Sequence, residues 1–270
     1  MTRTRIGVLG AAGRMGRAVM QAGESAGCVL GAAFERQGAA QIGLDAGEMA
    51  AIETRGVQIS SDVAATAAEG RFDVLIDFTR PEATLAALDA CVSHSIPMVI
   101  GTTGFTDQAL SAIERAATKI AIVKAGNFSL GVNLCQQLVQ TAAAALGASF
   151  DIEVVEAHHR HKVDAPSGTA LMLGEAAAKG LGTPLGDVAV YERYGHTGER
   201  PEGAIGFSTV RGGDVVGDHT VMFLGNGERV EITHKASSRL NFANGAVRAA
   251  QWVAGRKPGL YSMQDVLSPD

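Results

Sequence analysis

One short cationic segment, residues 156–170 (EAHHRHKVDAPSGTA), holds the side chains best suited to chemistry. Three of the chain's seven histidines, His158, His159 and His161, fall within four positions, and Lys162 follows them. A histidine beside other cations can act as a general acid near neutral pH, and the cluster as a whole attracts anions. The segment therefore predicts a site that binds and protonates a small anion.

The residues that follow the cationic cluster favour the same interpretation. Ser167 is suited to cap a helix whose first residues, Gly168 and Thr169, would offer backbone N–H and hydroxyl donors to a carboxylate. A polar surface loop is the plainer alternative. Metal binding is a third, but the spacing is not that of HExxH, and no carboxylate or cysteine completes a recognisable ligand set. We therefore predict no metal.

A glycine-rich loop near the start of the chain indicates nucleotide binding. The stretch GVLGAAGRMGRAV places Gly7, Gly10, Gly13 and Gly16 at intervals of three, after a strand-like run and before a helix-like one. Small residues let the backbone approach a pyrophosphate, which the helix N-terminus then attracts. The spacing is a variant of the dinucleotide fingerprint. A tight strand–helix turn without a ligand would give a similar pattern.

An acidic residue at the end of the second strand-like run strengthens the nucleotide reading. Glu35 lies 19 residues after Gly16, where a carboxylate would meet the ribose hydroxyls. Arg36 comes next and would face a 2′-phosphate or stack on adenine. The pair permits NADH or NADPH and does not decide between them. The alternative is a solvated charge pair at a strand end.

Two further strand-like runs end in segments placed to contact the nicotinamide half of such a cofactor. These segments are GTTG (101–104) and KAGNFS (124–129). In open α/β sheets, ligands bind at the carboxyl ends of the strands. Either segment could instead be a simple turn.

Two patterns of elements follow one another along the chain. Up to about residue 127, apolar strands alternate with helices, which predicts a Rossmann-type, doubly wound parallel sheet. From residue 128, a long helix precedes several successive strands, two of them joined by a hairpin-like GNGE turn. This predicts a second, α+β domain with a mixed or antiparallel sheet. The helix-like stretch 240–255 would return to the first domain.

Bulk properties exclude several classes of protein. The net charge of −5 argues against nucleic-acid binding, and three scattered cysteines indicate neither disulfides nor zinc. The N-terminus lacks the apolar region of a signal peptide, and no run of about 18 apolar residues occurs that could cross a membrane. We therefore expect a cytoplasmic protein without a nucleic-acid or membrane partner.

The chain closely resembles the dihydrodipicolinate reductase family, enzymes of diaminopimelate and lysine biosynthesis. The resemblance covers nearly the whole chain and rests on GAAGRMG, DFT, GTTG, AGNFSLGVN, RLNFANGAVRAAQW and, above all, EAHHRHKVDAPSGTA. It implies an NAD(P)H-dependent oxidoreductase that converts 4-hydroxy-tetrahydrodipicolinate to tetrahydrodipicolinate, with hydride added at C4 and water lost. It also implies a homotetramer. The implied domains are residues 1–127 with 239–270 for the cofactor and 128–238 for substrate binding and oligomerisation.

The resemblance also assigns roles to residues. His158 would be the acid/base residue and Lys162 the proton donor, while His159, Gly168 and Thr169 would bind the carboxylates of a small dicarboxylate substrate. The implied cofactor contacts are Gly10, Ala11, Ala12, Gly13, Arg14, Met15, Glu35, Arg36, Gly101, Thr102, Thr103, Ala125, Gly126, Asn127 and Phe128.

Two competing functions stay open at this point. One is a non-catalytic sensor of NAD(H), which would not need a proton donor and is therefore disfavoured by the histidine–lysine segment. The other is a related dehydrogenase that acts on a different small anion, such as an aspartate-type substrate. The chain lacks a catalytic cysteine motif like that of semialdehyde dehydrogenases.

Overall fold

The computed structural model describes residues 3–238 and 240–268. The chain divides into two compact units, Met1–Leu130 with Leu240–Asp270, and Gly131–Arg239. These bounds lie within a few residues of the domain limits that the resemblance implies. Within the described residues, no helix is both long and apolar enough to cross a membrane.

Short strands and helices alternate through most of the chain. In chain order the strands are β1 (Arg5–Leu9), β2 (Val29–Phe34), β3 (Ile59–Ser60), β4 (Val74–Asp77), β5 (Met98–Ile100), β6 (Ala121–Lys124), β7 (Asp151–His158), β8 (Ala189–Val190), β9 (Ile205–Arg211), β10 (Gly217–Leu224), β11 (Arg229–Ala236) and β12 (Gly259–Tyr261). The helices are α1 (Arg14–Ser25), α2 (Ala46–Met49), α3 (Val63–Ala68), α4 (Pro81–Ser93), α5 (Asp107–Ala117), α6 (Leu130–Leu146), α7 (Gly168–Leu181), α8 (Leu185–Val188), α9 (Leu240–Val253) and α10 (Met263–Leu267).

The first unit is built on a parallel sheet of seven strands in the order β12-β6-β5-β4-β1-β2-β3. Its central strands are apolar at successive positions because helices cover both faces; Val74, Leu75 and Ile76 are all fully buried. One face packs against α1 and α9, and the other against α4 and α5. The predicted Rossmann-type fold is confirmed. The strand order reverses between β1 and β4, the position at which such sheets bind ligands.

The C-terminal helix α9 belongs to the core of this first unit. Ala246, Val247, Ala250 and Val253 are buried in the same cluster as Val8 of β1. Small side chains at these positions let the helix lie close to the sheet. The helix-like stretch predicted at 240–255 thus contains α9, which packs in the first unit.

The second unit has a mixed sheet of five strands in the order β11-β10-β7-β9-β8. Along β7, every second residue is buried, which is the period of a strand with one face on a core. That core contains side chains from α6 and α7. The GNGE turn joins β10 and β11 as an antiparallel hairpin, whereas β9 pairs with β7 in parallel. The predicted mixed sheet is confirmed.

Candidate active site

The glycine-rich loop leaves β1 at the point where the strand order reverses. Gly10 has a φ of +73°, a conformation that side chains other than glycine rarely adopt. Gly16 lies in the first turn of α1, where a Cβ atom would overlap the carbonyl oxygen of Gly10. The N-cap residue of α1 is Gly13, which has no side chain with which to cap the helix. The loop therefore presents an uncapped helix start that a phosphate could approach closely.

Glu35 is held against this loop at the end of β2. Its Oε1 atom accepts a hydrogen bond of 2.9 Å from the backbone N–H of Ala12. A cavity of about 950 Å³ opens beside the two segments. Its lining includes Gly10, Gly13, Glu35, Arg36, Thr79 and Arg80. An adenine dinucleotide needs a small-residue loop for its pyrophosphate and a carboxylate or arginine near its ribose, so the residues fit this cofactor.

A buried carboxylate connects the ends of β4 and β5. Asp77 has no exposed surface, and it accepts hydrogen bonds from the hydroxyls of Thr79 (2.6 Å), Thr102 (3.0 Å) and Thr84. Burial raises the pKa of Asp77, although these hydrogen bonds act in the opposite direction. Thr102 also accepts the backbone N–H of Thr79 at 2.9 Å. Asp77 thus fixes the GTTG segment relative to the residues after β4.

Asp77→Asn should destabilise the first unit by about 1–3 kcal/mol. The amide NH₂ group would replace a carboxylate oxygen that accepts hydrogen bonds, and it would face threonine hydroxyls that now donate to that oxygen. Urea unfolding measures this loss. The control is Asp89→Asn on the exposed side of α4, which should change the free energy of unfolding by less than about 0.5 kcal/mol. Equal stabilities of the two variants would contradict the structural role of Asp77.

The segment after β6, residues 125–129, is held in place by its own contacts. The Asn127 side chain accepts the backbone N–H of Ser129 at 2.8 Å. The buried ring of Phe128 packs edge-on against Phe78, with 5.4 Å between ring centroids. A Cβ at Gly101 would overlap the same Phe78 ring. One aromatic side chain thus contacts both segments predicted to face the nicotinamide.

In the second unit, His158 ends strand β7 and is almost fully buried. Its Nδ1 atom lies 2.6 Å from Oε2 of Glu156, two residues earlier on the same face of the strand. Arg211 of β9 contacts both carboxylate oxygens, at 2.7 and 2.8 Å. Burial alone would raise the pKa of Glu156, but the hydrogen bonds from Arg211, His158 and Ser167 together lower it to about 2.

The start of α7 lies beside this carboxylate. The backbone N–H of Ser167 donates to Oε1 of Glu156 at 3.0 Å, and the Ser167 hydroxyl caps the helix by accepting the N–H of Ala170 at 3.1 Å. The same hydroxyl lies 2.9 Å from Nε2 of His219 on β10. Gly168 and Thr169 form the first turn of α7. The predicted helix start and its cap are therefore present.

Lys162 and His159 lie in the turn between β7 and α7. Nζ of Lys162 is 2.9 Å from a carboxylate oxygen of Asp164. The backbone N–H of His159 donates to the carbonyl of Val215 at 2.8 Å. Its Nδ1 atom is buried and, among the described residues, has no hydrogen-bond partner. The structure thus places His158 at the end of β7, His159 and Lys162 in the turn that follows, and Gly168 and Thr169 at the start of α7.

Sequence reasoning missed three side chains of this cluster. Glu156 could have been found, because residues two apart on a strand share a face and His158 was already a candidate. Arg211 and His219 come from strands about 50 residues further along the chain, and no local pattern marks them. The buried His219 has a pKa of about 4, lowered first by burial and then by the charge of His158.

His219 should make the folded protein less stable in acid. Its pKa is lower in the folded protein than the usual 6.5, so on acidification the unfolded chain binds a proton at this histidine before the folded protein does. The contribution of His219 to the free energy of unfolding is therefore fully present above pH 6.5 and is lost as the pH falls toward 4. The free energy of unfolding in urea should fall by about 2 kcal/mol between pH 7 and pH 5 from this group. The nearby charged or titratable groups are His158, Glu156, His234 and Lys162.

His219→Gln should remove most of that decline, whereas His196→Gln, at an exposed position, should leave it in place. A decline of the same size in both variants would assign the acid sensitivity to other groups.

Comparisons with known proteins agree over nearly the whole chain. The sequence pattern described as "Dihydrodipicolinate reductase, N-terminus" matches residues 4–128, and "Dihydrodipicolinate reductase, C-terminus" matches residues 131–267. The chain is 56% identical, over 97% of its length and 96% of the relative's, to 4-hydroxy-tetrahydrodipicolinate reductase from Acinetobacter baumannii. The chain belongs to the dihydrodipicolinate reductase family.

Solved structures show the same fold at lower identity. A dipicolinate-bound dihydrodipicolinate reductase from Paenisporosarcina sp. TG-14 is 24% identical and superposes with a TM-score of 0.79, covering 98% of this chain and all of the other. An amine dehydrogenase from Mycobacterium smegmatis is 11% identical with a TM-score of 0.61, covering 97% and 95% of the two chains.

Membership of the reductase family confirms two predictions from the sequence. The protein is an oxidoreductase of diaminopimelate and lysine biosynthesis, and its cofactor is NADH or NADPH. The roles that the resemblance assigns to individual site residues stay proposals.

Proposed function

We propose that the protein reduces 4-hydroxy-tetrahydrodipicolinate to tetrahydrodipicolinate. The observation that carries this proposal is the 56% identity, over 97% of the chain, to a relative that bears the name of this activity. The cationic segment supports it, because a substrate with two carboxylates needs both positive charge and helix N–H donors.

The substrate's carboxylates would be bound by His159, Gly168 and Thr169. Nδ1 of His159, which has no partner among the described residues, is a suitable donor, since a hydrogen bond to the substrate would remove the free-energy cost of a buried polar atom left unpaired. The first turn of α7 offers backbone donors and the positive end of the helix dipole. Ser167 keeps this turn in place through its cap to Ala170.

His158 and Lys162 would handle the protons. Bound NADH or NADPH supplies the hydride that is added at C4. The hydroxyl at C4 would leave as water together with a hydrogen from the neighbouring ring carbon, which leaves a double bond between the two carbons. After hydride addition at C4, the neighbouring carbon takes up one proton. Lys162 is the proposed donor of that proton, and His158 exchanges protons through Nε2 because Nδ1 already donates to Glu156. The residues proposed to hold the cofactor are Gly10 to Met15, Glu35, Arg36, Gly101 to Thr103 and Ala125 to Phe128.

Absorbance of NADH and NADPH tests this function. The substrate would be formed in the cuvette from pyruvate and aspartate semialdehyde by a condensing synthase. Oxidation should require both precursors and the synthase, and the two rates give the cofactor preference. Pyridine-2,6-dicarboxylate should compete with the substrate. NADH binding without oxidation would contradict the proposal and favour the sensor or another anionic substrate.

We also propose a homotetramer. On the sheet of the second unit, the face opposite the core carries Val155, Val210 and Met222, and Val210 is 53% exposed. A sheet face of this kind is stabilised when a second copy covers it. Light scattering should give four times the mass of the chain, and a monomer would contradict the assembly. A cytoplasmic location stays a prediction.

A further inference from the structure

We propose that Glu156, held by Arg211, is a positioning residue that joins the proton-handling and the carboxylate-binding parts of the site. The inference rests on the proposed function, because that function gives His158 and the start of α7 their roles. Glu156 is not proposed to contact the substrate. It acts through His158 and Ser167, which it holds by hydrogen bonds.

The two oxygens of Glu156 serve two different parts of the site. Oε2 accepts from Nδ1 of His158 at 2.6 Å, and Oε1 accepts from the backbone N–H of Ser167 at 3.0 Å. Ser167 directly precedes Gly168 and Thr169. A shift of this one carboxylate would therefore move both the imidazole and the helix start.

Arg211 keeps the carboxylate ionised and in place. Glu156 is only 1% exposed, and an isolated buried charge would be strongly unfavourable. The two parallel hydrogen bonds from the guanidinium compensate this charge and fix its plane. Arg211 also donates to the backbone carbonyl of Asp164 at 2.6 Å, which anchors the turn that carries Lys162.

An ionised carboxylate can only accept hydrogen bonds, so the proton on Nδ1 of His158 must point toward Glu156. Nε2 is then the ring atom that exchanges protons. The edge-on contact with His219, at 5.0 Å between ring centroids, holds the ring in this orientation. Glu156 thus selects the tautomer of His158, as the carboxylate of a catalytic triad does.

The first measurement uses the unaltered protein. Nitrogen-15 NMR of labelled histidines at neutral pH should show His158 protonated at Nδ1 with a strong hydrogen bond, His158→Asn providing the assignment. An Nε2-protonated tautomer would overturn the proposal, whether or not any Glu156 variant folds.

The second measurement compares Glu156→Gln with Glu153→Gln. Glu153 lies on the same strand and also pairs with two arginines, Arg193 and Arg200, but it does not contact His158. Glu156→Gln should lower kcat about 10- to 100-fold, because the amide NH₂ can donate to Nδ1 and reverse the tautomer. The KM for the substrate should rise a few-fold and the Kd for NADH should stay within about two-fold.

Glu153→Gln should keep kcat within about two-fold of the unaltered protein and keep the His158 tautomer. If Glu156→Gln also keeps kcat and the His158 tautomer, Glu156 is not a positioning residue, even though the protein is a reductase. If the unaltered protein itself oxidises no NADH with the substrate, the proposed function fails, and the NMR result still decides what holds His158.

Discussion

Lys162→Ala should lower kcat by about 10²- to 10⁴-fold and leave the Kd for NADH unchanged, which is the range expected when a general acid is removed. The change removes the proposed proton donor and no residue of the nucleotide-binding loop. The proton that the ring takes up after hydride addition would then have to come from water. The chemical step should therefore slow while cofactor binding proceeds normally.

The surroundings of Lys162 favour a role in chemistry over a role in stability. Its Nζ contacts Asp164, whose carboxylate is more than half exposed, and an ion pair of this kind contributes at most about 1 kcal/mol. The ion pair lowers the pKa of Asp164. Because the backbone N–H of Lys162 bonds to the carbonyl of His159, the turn should persist without the side chain.

Single-turnover kinetics and a separate NADH titration would check this expectation. Lys179→Ala is a matched control, since Lys179 is an exposed lysine in the last turn of α7. It should leave kcat within about two-fold of the unaltered protein. Full activity of Lys162→Ala would contradict the role of Lys162 as the proton donor. A large rise in the Kd for NADH would show that the lysine acts on the cofactor instead.

The nucleotide-binding part could be predicted because its signals are local. Continuously apolar runs such as residues 74–76 indicate buried parallel strands, and the glycine spacing marks the turn between β1 and α1. Short elements escaped prediction. Strand β3 has two residues and α2 has four, which is too few for a periodic pattern to show.

The candidate active site could be predicted only where neighbours in sequence are neighbours in space. His158, Lys162 and Gly168 are close along the chain, so one segment indicated all three. Arg211 reaches Glu156 only because β9 lies parallel to β7, in a register that pairs Arg211 with His158. Sheet register depends on packing of the whole core, and no local pattern carries it.

Gly16→Ala should raise the Kd for NADH about 10- to 100-fold and destabilise the first unit by about 1–3 kcal/mol. The new Cβ would overlap the carbonyl oxygen of Gly10 and crowd the Cα of Ala11 at 2.8 Å. Both neighbours are backbone atoms, so no side chain can rotate away and the loop itself must shift. Its N–H groups would then lie too far from the pyrophosphate.

Isothermal titration with NADH and urea unfolding measure the two effects separately. Gly255→Ala is the control, because a Cβ at Gly255 would meet, among the described residues that are not its chain neighbours, no atom within 4 Å, and its φ is not positive. In Gly255→Ala, the Kd for NADH and the free energy of unfolding should both stay close to those of the unaltered protein. If Gly16→Ala loses stability but binds NADH normally, the close approach of Gly16 to Gly10 serves helix packing alone. The pyrophosphate must then be bound outside the glycine-rich loop, and the cavity beside Glu35 would hold only the adenosine end of the cofactor.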